Sequence, residues 1–256
     1  LQSYTVLIVL ALYTGYFITY KFLPKFYNFL PGDRGRDFTL TKEAAKGKPT
    51  GSGVIFISIF FVLSLIFVPL DIMQFGVLVL TWLMMLTGFL DDRSTKGWGE
   101  YLKALLDLIL CVSASLLLAY CLSKDSADGN LYFWLPFISF QIKIPFWLYI
   151  VISTVMLWTS VNTTNCTDGV DGLSSTLVLL GLIVMGVIFY VILGHKDISS
   201  YLLVPTLQDG AGWAVITFCL TGVLMGYLWH NAFPSSVLMG DAGSRALGFY
   251  IGVCVM

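Results

Sequence analysis

Charge is what this sequence has least of. Asp, Glu, Lys and Arg make up 11% of the 256 residues and hydrophobic residues 57%, whereas roughly 25% of an ordinary soluble domain is charged. Too few polar groups are present to cover a water-facing surface, so a soluble globular domain is excluded. The formal net charge of −1 lacks the basic footprint of a nucleic-acid binder, and no nucleic-acid partner is expected. Cysteine offers no pattern either. Cys111, Cys121, Cys166, Cys219 and Cys254 are odd in number, lack metal-ligand spacing and mostly lie in apolar runs, so neither a disulfide framework nor a zinc site is expected.

What is abundant is long uncharged sequence. A helix needs about 20 mostly apolar residues to span the hydrocarbon core of a bilayer. Stretches 1–20, 49–70, 72–90, 108–123, 144–167, 172–194 and 210–229 contain no Asp, Glu, Lys or Arg, and an eighth apolar run opens at Ala246. The fourth reaches back toward Tyr101 if Asp107 lies in the bundle interior and Lys103 snorkels to the interface. The expected fold is an all-α polytopic membrane protein crossing the bilayer about eight times. Residues 1–256 read as a single transmembrane catalytic domain, and both ends of the chain read as clipped, the eighth run stopping in mid-span at Met256.

Basic residues orient such a chain, because cytoplasmic loops are enriched in them. Lys21, Lys25, Arg34, Arg36, Lys42, Lys46, Lys48, Arg93, Lys96, Lys103 and Arg245 fall on one side, and only Lys124, Lys143 and Lys196 on the other. With the amino terminus outside, loops 22–48, 91–102, 162–171 and 230–243 face the cytoplasm. On the opposite side, Asp128-Gly129-Asn130 is followed by alternating Leu131, Phe133 and Leu135, then Ile138, Phe140 and Ile142. That segment, 124–145, reads as a small structural hairpin.

Three of the cytoplasmic loops carry carboxylates at helix ends. The first holds Asp91-Asp92, two adjacent anions that repel unless a cation, proton or metal intervenes. The second runs Asn162-Thr163-Thr164-Asn165-Cys166-Thr167-Asp168-Gly169-Val170-Asp171-Gly172, with two carboxylates close enough to share a helical face, or alternatively with Asn165, Thr167 or Asp168 as helix caps. The third is Met239-Gly240-Asp241-Ala242-Gly243-Ser244, where small residues let backbone amides approach an anion at a helix start, or simply make a Gly-rich turn. Five of the fifteen acidic residues thus sit at three distant positions on one face. An all-oxygen cluster of this kind suits magnesium, which commonly bridges carboxylate to phosphate. Lys46, Lys48, Lys96 and Lys103 would neutralise phosphate oxygens during transfer, so phosphate chemistry between a cytoplasmic nucleotide and a membrane lipid is expected.

The order Pro49-Thr50-Gly51-Ser52-Gly53, Asp91-Asp92, NTTNCTDGVDGLS from Asn162 and FPSSVLMGDAGS from Phe233 resembles the phospho-N-acetylmuramoyl-pentapeptide transferase family. The resemblance spans nearly the whole chain. It implies a dimeric bundle of about ten transmembrane helices with a cytoplasmic, magnesium-dependent site. It implies transfer of phospho-MurNAc-pentapeptide from UDP-MurNAc-pentapeptide to undecaprenyl phosphate, forming lipid I in peptidoglycan synthesis and releasing UMP. By position, Asp91, Asp92 and Asp241 match the family's catalytic aspartates, with Asp241 the one associated with magnesium. Lys48, Thr50, Lys103, Asn162, Asn165, Asp168, Asp171, Asn231, Leu238 and Gly240 fall where the family lines its nucleotide and substrate cleft. The implied chemistry has Asp91 accepting a proton from, or orienting, the lipid phosphate while magnesium on Asp241 holds the diphosphate; a covalent aspartyl-phosphate is the rival route.

The chain also departs from the family pattern. Its usual GTPTMGG segment reads Gly47-Lys48-Pro49-Thr50-Gly51-Ser52-Gly53, Ala45 stands at a usual lysine, Leu238 stands where phenylalanine is common, and Lys96 has no clear counterpart. The family's last cytoplasmic loop, with its histidine cluster, would lie beyond Met256. His195 and His230 read as a surface and a helix-terminal histidine rather than replacements. Two alternatives stay open: a sister enzyme transferring GlcNAc-1-phosphate from UDP-GlcNAc to a polyprenyl phosphate, and an ion-coupled transporter. Thr167 within NCTDGVDG favours the muramoyl branch. A transporter predicts acids within spans, where only Asp107 stands. Gly222 with Gly226, and Gly248 with Gly252, have the spacing of helix-packing patches.

Overall fold

The computed structural model describes residues 3–33, 46–126, 129–134, 142–207 and 209–256. Arg34, Arg36 and Lys42 of the first basic loop, and Asp128, Leu135, Ile138 and Phe140 of the expected hairpin, lie outside them. Among the described residues the chain forms helices α1 (Tyr4–Phe22), α2 (Gly53–Phe67), α3 (Ile72–Arg93), α4 (Glu100–Asp125), α5 (Phe146–Thr167), α6 (Leu173–Val187), the short α7 (Lys196–Tyr201), α8 (Gly210–Asn231) and α9 (Gly240–Val255). A 3-10 helix, Leu23–Phe29, continues α1, and a π-helical turn, Ile188–Leu193, continues α6. Strands β1 (Leu131–Phe133) and β2 (Ile142–Ile144) pair antiparallel with Leu131 opposite Ile144, which is the expected small hairpin.

Each of the eight apolar runs becomes a helix, giving an all-α polytopic membrane protein. Six helices are long and apolar enough to cross a bilayer. Of the other two, α2 has 15 residues, about 22 Å at 1.5 Å per residue and so short of the ~30 Å hydrocarbon core, and α9 runs from Gly240 to Val255. Thirteen residues of α9 are buried, so protein rather than lipid surrounds it and polar side chains are tolerated along it. Helix α8 is similarly central, with sixteen of its 22 residues buried.

Glycine makes this core possible. A Cβ added at Gly222 would lie 2.0 Å from the Leu12 carbonyl oxygen, and one at Gly226 would lie 2.6 Å from that of Tyr16, so α8 rides directly on the backbone of α1. At Gly248 the obstacle would be the Ser160 carbonyl oxygen, at 2.7 Å, which joins α9 to α5. Both small-residue patches therefore pack helices within this chain.

At the end opposite the aspartate loops, Asp71 starts α3 with a capping box: its Oδ1 accepts from the Gln74 N–H at 2.6 Å, and Gln74 Oε1 accepts from the Asp71 N–H at 3.3 Å. Gln74 Nε2 also donates to Asp209 Oδ2 at the start of α8. Burial raises the Asp209 carboxyl above the usual carboxylate range, against the lowering effect of that hydrogen bond.

Candidate active site

Among the described residues, the four loops expected to face the cytoplasm converge at one end of the bundle. Helix α3 ends there with Asp91 and Asp92, α4 begins there with Lys103 in its first turns, and α9 begins there with Asp241. Backbone contact holds these ends together. A Cβ at Gly88 would lie 2.5 Å from the Asp241 carbonyl, and one at Gly53 would lie 2.1 Å from the Gly243 nitrogen. Gly240 has φ +66°, and a Cβ there would lie 2.4 Å from Asp92 Oδ2, so glycine is required on both conformational and steric grounds.

The three aspartates meet: each offers an oxygen within 4.8 Å of the others. Their surroundings differ. Asp92 accepts the Asp241 N–H on Oδ1 at 3.2 Å and the Ala242 N–H on Oδ2 at 3.0 Å. The amides at the start of α9, expected to be open to an incoming anion, are therefore directed at the chain's own carboxylate, which satisfies donors that a helix start leaves without intrahelical partners. Asp91, almost fully buried, accepts the Trp98 N–H on Oδ1 at 2.6 Å. Its Oδ2 lies 2.5 Å from Lys103 Nζ, which also donates to Asp241 Oδ2 at 3.1 Å. Lys103 thus turns inward to the acids instead of snorkelling to the interface. Three carboxylates with one ammonium leave, when all are ionised, an excess of negative charge that a divalent cation offsets. The donor set is entirely oxygen, as magnesium prefers.

A second cluster lies around the loop after α5. Lys48 Nζ donates to Ser235 Oγ at 3.0 Å and stands 3.7 Å from Asp171 Oδ2, which in turn accepts the Ser235 N–H at 3.4 Å. The segment that follows Lys48 reaches the first cluster: Pro49 O accepts the Leu238 N–H at 2.8 Å, Ser52 Oγ donates to Leu238 O at 2.9 Å, and a Cβ on Gly51 would stand 3.2 Å from Asp92 Oδ2. Asn165 Oδ1 accepts from Ser244 Oγ at 2.8 Å, tying the end of α5 to α9. Asp168, buried, ends α5, and Thr50, also buried, donates its N–H to Pro31 O at 2.8 Å.

Two expected cleft residues also make hydrogen bonds within the chain. Asn231 is buried, its Oδ1 accepting from the Gly172 N–H at 3.1 Å and Ser175 Oγ at 2.9 Å while its Nδ2 donates to Val237 O at 3.0 Å. Its amide joins α6, α8 and the loop before α9. Asn162 donates to Trp158 O of its own helix at 2.8 Å. Lys46 and Lys96 are exposed. His230 lies 3.0 Å from Tyr20 O and His195 lies 2.8 Å from Tyr190 O, positions that suit helix-terminal and surface roles. Sequence reasoning passed over Ser52, Ser235 and Ser244, whose hydroxyls stitch the loops together. It also counted Arg245 among loop cations; Arg245 is buried and paired with Asp107, so it carries no information about orientation. The signal available for it was its spacing, four residues after Asp241.

The chain matches the glycosyl transferase family 4 model over residues 74–256. It is 51% identical over its full length to a phospho-N-acetylmuramoyl-pentapeptide-transferase of Treponema pallidum (strain Nichols), covering 69% of that protein. Transferases of the same name from Nautilia profundicola and Helicobacter pylori are 32% and 30% identical, over 95% and 94% of this chain and 71% and 70% of theirs. With the aspartate cluster in place and half the residues identical along the whole length, the chain belongs to glycosyl transferase family 4 and, within it, to the phospho-N-acetylmuramoyl-pentapeptide transferases.

Proposed function

We propose that this protein transfers phospho-MurNAc-pentapeptide from UDP-MurNAc-pentapeptide to undecaprenyl phosphate at the cytoplasmic face of a bacterial inner membrane. The observation that carries the reading is the cluster of Asp91, Asp92 and Asp241 bridged by Lys103 at the basic end of a membrane bundle. An oxygen of the lipid phosphate attacks the sugar-linked phosphorus, the bond from that phosphorus to the bridging oxygen breaks, and UMP leaves with that oxygen. Asp91 takes up the proton of the lipid phosphate or orients it. Lys103 offsets negative charge on the phosphates beside Asp91 and Asp241. Asp92 acts by fixing the start of α9, and with it the backbone that carries Asp241. Asp241, with Asp91 and Asp92, would hold magnesium, which when bound stabilises charge developing on the diphosphate.

The test is UMP release by the intact protein with undecaprenyl phosphate and either UDP-MurNAc-pentapeptide or UDP-GlcNAc. Release with the first donor and none with the second is expected. Lipid product from UDP-GlcNAc alone would move the protein to the sister branch.

A further inference from the structure

One buried pair of charges stands outside the chemistry just described. Asp107 on α4 and Arg245 on α9 are 3% and 1% exposed. Arg245 Nε donates to Asp107 Oδ1 at 3.1 Å, and Nη2 donates to the same oxygen. Arg245 Nη1 finds no hydrogen-bond partner among the described residues. A buried ion pair is weak evidence of a stabilising device, because desolvation offsets its attraction, and an unsatisfied donor adds to the cost. Its presence therefore calls for a role other than stability.

Spacing supplies one. Lys103 and Asp107 are four residues apart on α4, and Asp241 and Arg245 are four apart on α9, so each pair lies on one helix face a turn apart. The two helices are joined by two rungs, Lys103 to Asp241 and Asp107 to Arg245. The charge order is reversed between them: positive then negative along α4, negative then positive along α9. Both helices start at the site end, so a slip of one turn would set Lys103 against Arg245, or Asp107 against Asp241. The correct register is attractive at both rungs and either slipped register is repulsive. Helix α4 packs closely on α3 and α5 and reaches α9 through these long side chains.

We infer that Asp107 and Arg245 are a positioning pair for the transfer reaction, fixing the axial register of α4 that keeps Lys103 between Asp91 and Asp241. The inference rests on the transferase reading for the meaning of Lys103, but the register has its own readout. Reductive methylation of Lys103 in the intact, detergent-solubilised protein, followed by mass spectrometry, reports how firmly its amine is held.

The variant to compare with wild type replaces the pair by apolar residues, Asp107→Leu with Arg245→Leu, since such exchanges of buried ion pairs are commonly neutral for folding. Several-fold faster methylation of Lys103 is expected at an unchanged unfolding temperature. Turnover should fall about ten- to a hundredfold with KM for the nucleotide donor unchanged. Arg245→Lys keeps the charge but loses the two-donor contact, and should show the same changes to a smaller degree. Wild-type methylation in the folded double variant overturns the inference, whatever happens to turnover. Should the double variant not fold, wild-type methylation in Arg245→Lys overturns it equally. Faster methylation with undiminished turnover supports the register and overturns the role of Lys103 in the reaction.

Discussion

At the residue scale, three aspartates of one type divide into different tasks because their neighbours differ. Asp92 is engaged by two backbone amides, so its charge anchors a helix; Asp241 faces a lysine side chain, so its charge is available to chemistry. Asp241→Asn keeps size and removes the charge. Loss of about 4 kcal/mol of transition-state stabilisation would slow UMP release about a thousandfold at saturating substrates. Thermal unfolding should stay close to wild type, because Asp241 makes no side-chain cap of α9 and loss of its charge relieves repulsion with Asp91 and Asp92. Near-normal release by the folded variant would remove Asp241 from the reaction. The identities of these aspartates were legible from their recurrence at three loops. What each oxygen touches was not, and Asn231 shows the limit: its position marked it as a cleft residue but said nothing of the three contacts by which its amide joins helices.

At the scale of elements, the site depends on three helix ends approaching more closely than any side chain permits. Gly88 faces the Asp241 backbone and Gly53 faces that of Gly243. Gly88→Ala would force α3 and α9 apart where both carry aspartates. The expected cost is about 1–3 kcal/mol of stability, with a larger proportional loss of turnover, since a shift of about 1 Å at a reacting centre costs about a hundredfold. Gly181 in α6 is the comparison, because a Cβ there meets only Ile251, at 4.0 Å. Gly181→Ala should be neutral or gain up to about 1 kcal/mol, as alanine favours the helix interior. Thermal unfolding and UMP release measured on both variants check this. Equal behaviour of the two would show that the close approach at Gly88 does not matter.

For the whole molecule, the topology has a direct test in side-chain reactivity. Cys166 is the free cysteine that is exposed, in the last turn of α5. Thr95 and Phe233 are exposed in the loops after α3 and α8. Cys166 in the native protein, and Thr95→Cys or Phe233→Cys in a Cys166→Ser background, should all react with an impermeant maleimide in inverted vesicles and not in right-side-out ones. Reaction of any two from opposite faces would break the shared site apart.

The class of molecule was legible in the residues alone, since so few charges and so many uncharged runs leave no fold but a membrane bundle. So was the end at which the site lies, because the basic residues and the spaced aspartates gather in the same loops. The length of one span was less legible: the uncharged run 49–70 becomes a helix of only 15 residues, α2, because its first residues are held in backbone contacts with Pro31 and Leu238 that hydropathy cannot register. It took the packed helices to reveal that Asp92 closes the start of α9, that Lys103 points inward, and that Arg245 lies in the core against Asp107. The reason is common to all three. A charged side chain's role is set by the opposite charge or the backbone donor it meets, and Asp92, Lys103 and Arg245 each meet a partner, in Ala242, Asp241 and Asp107, more than a hundred residues away in sequence, beyond the reach of any local pattern.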